Sequence, residues 1–277
     1  MKRRTLTNGV LLLVAAGLAA FIVSMPEKEA RPQLEPLSHE NPRSVSHVRL
    51  ELGEDRTIEL RRDDRSWRLV EPIRIAANDF RVNALLRVLE APVHARIDAR
   101  AGELGRFGLA HPRARVLLDG TEILFGDIEP INGRRYLLFN GKVALVDDRY
   151  FSHLSSSAAN YVDPALLGDE PILRRITLPE FSIYRDAGSW HVDPDDGSMS
   201  ADDLSRLVDA WRSAQATAVR PLEPSLPWHD EILIDLDDGR VQFDVARTEY
   251  ELILGRADLA IQYHLTRGTG ARLLGQQ

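Results

Sequence analysis

Histidine, serine, glycine-loop and acidic clusters are the places where this chain could do chemistry. Its eight histidines are His39, His47, His94, His111, His153, His191, His229 and His264. None forms the i, i+4 pair or the His-Glu-x-x-His pattern of a helical zinc site. His191 with Asp193, and His229 with Asp230, are the pairs that could join a carboxylate–imidazole site assembled in three dimensions. The stretch Asp193-Pro194-Asp195-Asp196-Gly197 suggests calcium, but an EF-hand loop needs glycine at its sixth position and glutamate at its twelfth. Counted from Asp193, glycine falls fifth and the twelfth residue is Leu204, so the stretch reads as a polar loop leading to a helix cap at Ser200. No Gly-x-Ser-x-Gly elbow surrounds a serine, and Ser155-Ser156-Ser157 falls in a region expected to be a linker. Phosphate-cradling glycine motifs are absent; Gly268-Thr269-Gly270 reads as a frayed end. With no cysteine, thiol catalysis, disulfides, zinc–thiolate sites and iron–sulfur clusters are excluded. No catalytic, cofactor-binding or metal residue is therefore assigned, and no cofactor is expected.

The elements that position these residues come from an internal repeat. Ser66-Trp67-Arg68-Leu69-Val70 matches Ser189-Trp190-His191-Val192-Asp193. Each tryptophan is followed by a helix pattern: Val82, Leu85, Leu86 and Leu89 behind an Asn78 cap, and Leu204, Leu207, Val208 and Trp211 behind a Ser200 cap. Apolar residues at this spacing make one buried stripe, and Asp79, Asp202 and Asp203 suit the positive helix end. Strand pairs precede each tryptophan (48–52 with 58–60, 176–178 with 181–184), and a further strand follows each helix (93–97, 214–219). Two more hairpins close each half, with Asp119-Gly120, Asn140-Gly141 and Asp238-Gly239 expected at two-residue tips. Recurrence at equivalent places marks Trp67 and Trp190 as core residues sealing each half rather than ligand platforms, and Tyr136 and Tyr250 read the same way.

Met1-Lys2-Arg3-Arg4 precedes an uncharged run from Thr5 to Met25. As helix, those 21 residues span about 31 Å, close to the ~30 Å hydrocarbon core. The basic flank places the N-terminus in the cytoplasm and everything after Pro26 across the membrane. A cleaved signal peptide has a similar layout, but cuts after Ala20, Ser24 or Ala30 put Leu18, Ile22 or Lys28 at the third-last position, where a small residue is needed. An uncleaved anchor is expected. Residues 26–46, with four prolines and no amphipathic period, read as an extended tether.

The chain has 277 residues, 44% of them hydrophobic, and a formal charge of −7. That is enough apolar material for a sizeable core, and the acidic balance argues against nucleic acid as a partner. The expected fold class is α+β: a transmembrane helix, then two tandem, similar lobes of antiparallel strands each carrying one long helix. The expected boundaries are 1–25 for basic tip and anchor, 26–46 for tether, 47–155 for the first lobe, 156–171 for a linker and 172–277 for the second lobe. One continuous sheet through both halves is the other layout the repeat permits.

Trp67, Pro72, Asp79, Leu85-Leu86 and Leu89, then Phe107-Gly108-Leu109-Ala110-His111-Pro112, Leu124-Phe125-Gly126 and Arg135-Tyr136, resemble a bacterial family of unknown function. Its members are membrane-anchored envelope proteins, often encoded beside ABC-transporter components of the gliding-motility type. The likeness covers roughly residues 47–155, with a weaker echo to about 265; the second half has no Phe-Gly-Leu-x-x-Pro segment. The resemblance implies envelope location and a transporter-associated partner, and lends no catalytic residue.

The function expected from these readings is a non-enzymatic, single-pass inner-membrane protein with its bulk in the periplasm. It would contact the membrane through residues 5–25 and serve as an accessory or binding subunit of an envelope or ABC-transporter complex. The alternatives are an envelope hydrolase drawing on His191, His229 or acidic loops, and a structural spacer.

Overall fold

The computed structural model describes residues 34–53, 56–63, 66–154 and 157–276, together with Gly17. Among them no helix is long and apolar enough to cross a membrane. The stretch 5–25 expected to do so lies, Gly17 apart, outside the described residues.

Alternating apolar residues build the first strands. β1 (His47–Glu51) buries Val48 and Leu50, and β2 (Thr57–Asp63) sets Leu60 and Ile58 opposite them. A period of two sends these side chains to one face of the sheet. β3 (Ser66–Glu71) adds Trp67 and Leu69 to that face, and β4 (Ile75–Ala76) closes the edge. After the helix, β5 (Ala95–Ile97) pairs with the last strand of a meander formed by β6 (Ala114–Leu118), β7 (Thr121–Ile128), β8 (Arg134–Phe139) and β9 (Lys142–Asp147). The order across the sheet is β4-β3-β2-β1-β6-β7-β8-β9-β5.

The second half repeats this plan. It comprises β10 (Leu173–Thr177), β11 (Ser182–Asp186), β12 (Ser189–Asp193), β13 (Ala218–Pro221), β14 (Asp230–Leu236), β15 (Arg240–Arg247), β16 (Glu251–Arg256) and β17 (Ile261–Thr266). Their order, β12-β11-β10-β14-β15-β16-β17-β13, is the first order without β4. There are thus two separate antiparallel sheets, not one continuous sheet.

Each helix lies where its cap predicts, but neither is long. α1 (Asp79–Leu86) is held by the Asn78 side chain, which accepts from the Arg81 N–H, and it tightens into a 3₁₀ turn over Arg87–Glu90. Pro92 explains the stop: the residue before a proline is pushed out of helical geometry, and Ala91 is extended at ψ 125°. α2 (Ala201–Arg212) starts on a reciprocal cap in which Ser200 and Asp203 satisfy each other's backbone N–H groups. A third helix, α3 (Arg267–Leu273), occupies the C-terminal stretch that reads as frayed. Thr266 caps it, Gly270 is buried where an added Cβ would stand 2.6 Å from the Leu252 Cβ, and the Leu273 carbonyl accepts a 2.8 Å bond from the Trp211 indole.

The tether and linker expectations also change. From Pro36 the chain is docked: Pro36 bridges Pro92, the Leu37 and Ser38 N–H groups donate to the Ala91 and Leu89 carbonyls, and Leu37 and Val45 are buried. Burying each of these side chains contributes about 1.5–3 kcal/mol, and the backbone hydrogen bonds to the helix end add to it. Residues 156–171 are no free linker either. Ala159, Tyr161, Val162 and Leu166 are buried, Val162 bridges Ala77 and Ala165 bridges Gln215, so this segment joins the apolar interiors of both halves into one cluster.

Asp119-Gly120 and Asn140-Gly141 take positive φ at two-residue tips, as expected. Asp238-Gly239 does not form one: Asp235 pairs with Arg240, leaving four residues between them. The reason is tertiary, because the Asp237 N–H donates to Ile172 and its carboxylate holds Arg174.

Candidate functional site

The histidines expected to meet acids do not do so at His191 or His229. His191 is exposed on β12 and stacks on Tyr184, and His229 is exposed ahead of β14. Three other histidines stand against carboxylates: His47 on Glu59 at 3.1 Å, His94 on Asp147 at 2.9 Å and His264 on Glu251 at 2.9 Å. His264 is buried, and its second ring nitrogen lies 2.9 Å from the Gln262 amide, whose oxygen accepts from the Glu223 N–H. Both imidazole nitrogens are thereby engaged, so this dyad works as an internal brace with no lone pair aimed at a substrate. Adjacent-residue spacing cannot reveal such pairs, because the strands bring together residues 53 positions apart, as in His94 and Asp147.

In the exposed acidic loop before Ser200, two carboxylates bind the loop's own backbone. Asp195 accepts from the Gly197 N–H and Asp196 from the Ser198 N–H, an arrangement that fixes the turn. Among the described residues no group of three or more histidine or acidic side chains is placed to hold a metal. Ser155 and Ser156 lie outside the described residues.

The motif Phe107-Gly108-Leu109 with Leu124-Phe125-Gly126 is a fastener. The segment 97–109 covers the outer face of the first sheet, where Phe107, Leu109, Leu124 and Val143 form a second small core and Phe107 packs on Tyr136 at 4.9 Å. A Cβ on Gly126 would stand 2.2 Å from the Phe107 carbonyl oxygen, and one on Gly108 would stand 2.4 Å from the Asp127 side chain. Glycine is required at both places so that the backbones can touch. Buried Arg135 ties the far side, reaching the Gly126 carbonyl at 2.5 Å, Asp148 at 2.6 Å and the Phe151 ring face at 3.9 Å. Trp67 is buried as expected, whereas Trp190, on an edge strand, is half-buried and Tyr250 is exposed in the β15–β16 turn.

A cleft of about 780 Å³ runs along α1. Asn41, Pro42 and Arg43 form one wall; Phe80, Arg81, Asn83 and Arg87 form the other, and Arg62, Trp67 and His153 also line it. Arg62 lies 4.7 Å over the Trp67 ring, and the Trp67 N–H is held by Asp79 at 2.9 Å. None of Arg43, Arg62, Arg81 and Arg87 is ion-paired among the described residues. Phe80 is 76% exposed at the rim. The second repeat has a corresponding groove of about 440 Å³ between α2 and α3, but there Arg206 is paired with Asp203. Sequence reading missed the first cleft because its arginines are scattered from 43 to 87 and look like ordinary surface.

Fold and surface together define a duplicated α+β protein, two antiparallel sheets each with a helix alongside. Residues 67–226 match the family described as Domain of unknown function (DUF4340), and the chain belongs to that family. The match begins at Trp67 in β3 and crosses into the second repeat, so it leaves out residues 47–66 of the stretch on which the resemblance first rests and runs past residue 155. No curated protein and no solved structure matches the chain.

Proposed function

We propose that this chain is a non-enzymatic, inner-membrane-anchored periplasmic protein, an accessory or binding subunit of an envelope complex, with an ABC transporter as the partner class. The observation that carries the reading is the short distance along the chain between the uncharged stretch 5–25 and Pro36, where the docked body begins. Ten intervening residues reach at most about 36 Å, which keeps a body so attached near the bilayer and near membrane-embedded partners. The resemblance to envelope proteins encoded beside transporter components supports the same assignment, and the grooves along the two helices offer concave surfaces for a partner.

The test is co-purification of the tagged full-length chain from crosslinked, detergent-solubilised membranes, with bound proteins identified by mass spectrometry. Enrichment of transporter subunits over an anchor-only control is the expected result. Recovery of no transporter or envelope subunit above that control would overturn the partner assignment.

A further inference from the structure

We infer that the α1 cleft of the first repeat rests on the bilayer and binds anionic phospholipid headgroups, with Phe80 at the lipid interface. The inference rests on the anchored reading above and adds a second, electrostatic contact with the membrane.

Three observations carry it. The first is charge: on a chain of net −7, four guanidinium groups without carboxylate partners among the described residues (Arg43, Arg62, Arg81 and Arg87) line one cleft. Asp79 and Glu90 are the acids there, and Asp79 already accepts the Trp67 N–H. The second is the contrast between repeats. Where α1 presents Phe80, Arg81 and Arg87, the equivalent positions of α2, 122 residues on, hold Asp202, Asp203 and Asp209. The buried stripes of the two helices match throughout, Val82 with Leu204 and Leu89 with Trp211, whereas the outward charges are rearranged: Ala84 and Glu90 give way to Arg206 and Arg212, which pair with Asp203 and Asp209, so that α2 has no counterpart of the unpaired Arg81 and Arg87. The third is position: the chain coming from residues 5–25 joins the body at Pro36, beside Pro92 at the end of this same helix, and then forms the cleft wall at Asn41–Arg43. An exposed aromatic beside several arginines, on the repeat that comes first in the chain after residues 5–25, matches an anionic interface, where each guanidinium raises binding roughly fivefold.

The absence of native cysteine gives a clean test. Asn83→Cys, which lines the cleft and leaves Phe80 intact, is labelled with an environment-sensitive fluorophore in the full-length chain. The chain is reconstituted into vesicles of phosphatidylcholine alone or with about one-third phosphatidylglycerol; label on Ile131→Cys, at an exposed hairpin tip, serves as reference. The expected result is a blue shift and access to a lipid-borne quencher at position 83 in anionic vesicles only, reversed by Arg43→Glu/Arg81→Glu/Arg87→Glu and absent at position 131. These substitutions are on exposed side chains, and an unchanged melting temperature confirms the fold. Equal water exposure in both vesicle types, in chain that resists alkaline extraction, overturns the inference and leaves the anchor standing. Chain released by alkali overturns the anchor, while the lipid dependence of the label before extraction still decides the headgroup contact. Loss of a co-purifying acidic protein in the triple variant, with no lipid dependence at position 83, would also overturn it and assign the cleft to a protein.

Discussion

The Leu37 N–H donates to the Ala91 carbonyl at 2.9 Å, and the Leu166 N–H donates to the Ala214 carbonyl at 3.1 Å. Ala91 and Ala214 each follow the helix of their repeat, and both leucines are buried. The bridges Pro36–Pro92 and Ala165–Gln215 flank the two bonds in the same way. The stretches first read as tether and linker are therefore one repeated element, a strap that leads into β1 and β10 after crossing the helix end.

Leu37→Ala and Leu166→Ala should each destabilise the fold by about 2–5 kcal/mol, as expected for emptying a buried leucine site. Urea unfolding of the full-length chain measures this. A midpoint for Leu37→Ala indistinguishable from the parent would mean the first strap is not part of the folded body.

The two buried tryptophans should differ. Trp211 donates its indole N–H to Leu273, whereas the buried Trp67 indole N–H has no acceptor among the described residues. Trp211→Phe strands a buried carbonyl, so it should cost about 1–3 kcal/mol more than Trp67→Phe. Equal losses in chemical denaturation would contradict this account.

Gly126→Ala forces a methyl group against the Phe107 carbonyl and should cost about 1–3 kcal/mol. Gly102→Ala, where nothing lies within 4 Å, should stay within about 0.5 kcal/mol. Thermal melts of the pair check whether the glycine motif fastens the outer segment, and a neutral Gly126→Ala would refute it.

Stability should fall at both pH extremes for identifiable reasons. Burial pushes the Tyr263 phenol from its ordinary 10.0 up to about 12. The unfolded chain loses that proton first, so the contribution is intact below about pH 10 and is lost as pH rises toward 12. At the acid end, the Arg256 hydrogen bond holds the Asp258 carboxyl below its usual range. That contribution is complete above the ordinary aspartate range and disappears as pH falls below it. Tyr263→Phe should flatten the alkaline limb of the stability–pH curve and Asp258→Asn the acid limb. An unchanged slope in either variant would rule out its group as the cause.

What the sequence determined is local or recurrent. Asn78 and Ser200 mark the helix starts because a capping side chain acts within three residues. Asp119-Gly120 and Asn140-Gly141 mark hairpins because two adjacent residues supply the positive φ. Recurrence of the tryptophan, cap and stripe exposed the duplication, while strand pairing decided that it makes two separate sheets rather than one. Tertiary structure decided whatever depends on pairing between distant strands. It placed Leu37 and Leu166 on helix ends, set His94 against Asp147 and His264 against Glu251, and turned a glycine end into α3. It also gathered Arg43, Arg62, Arg81 and Arg87 around one cleft. Those outcomes follow from strand order and from which apolar residues find a surface to cover, and neither is written in the spacing of neighbouring residues.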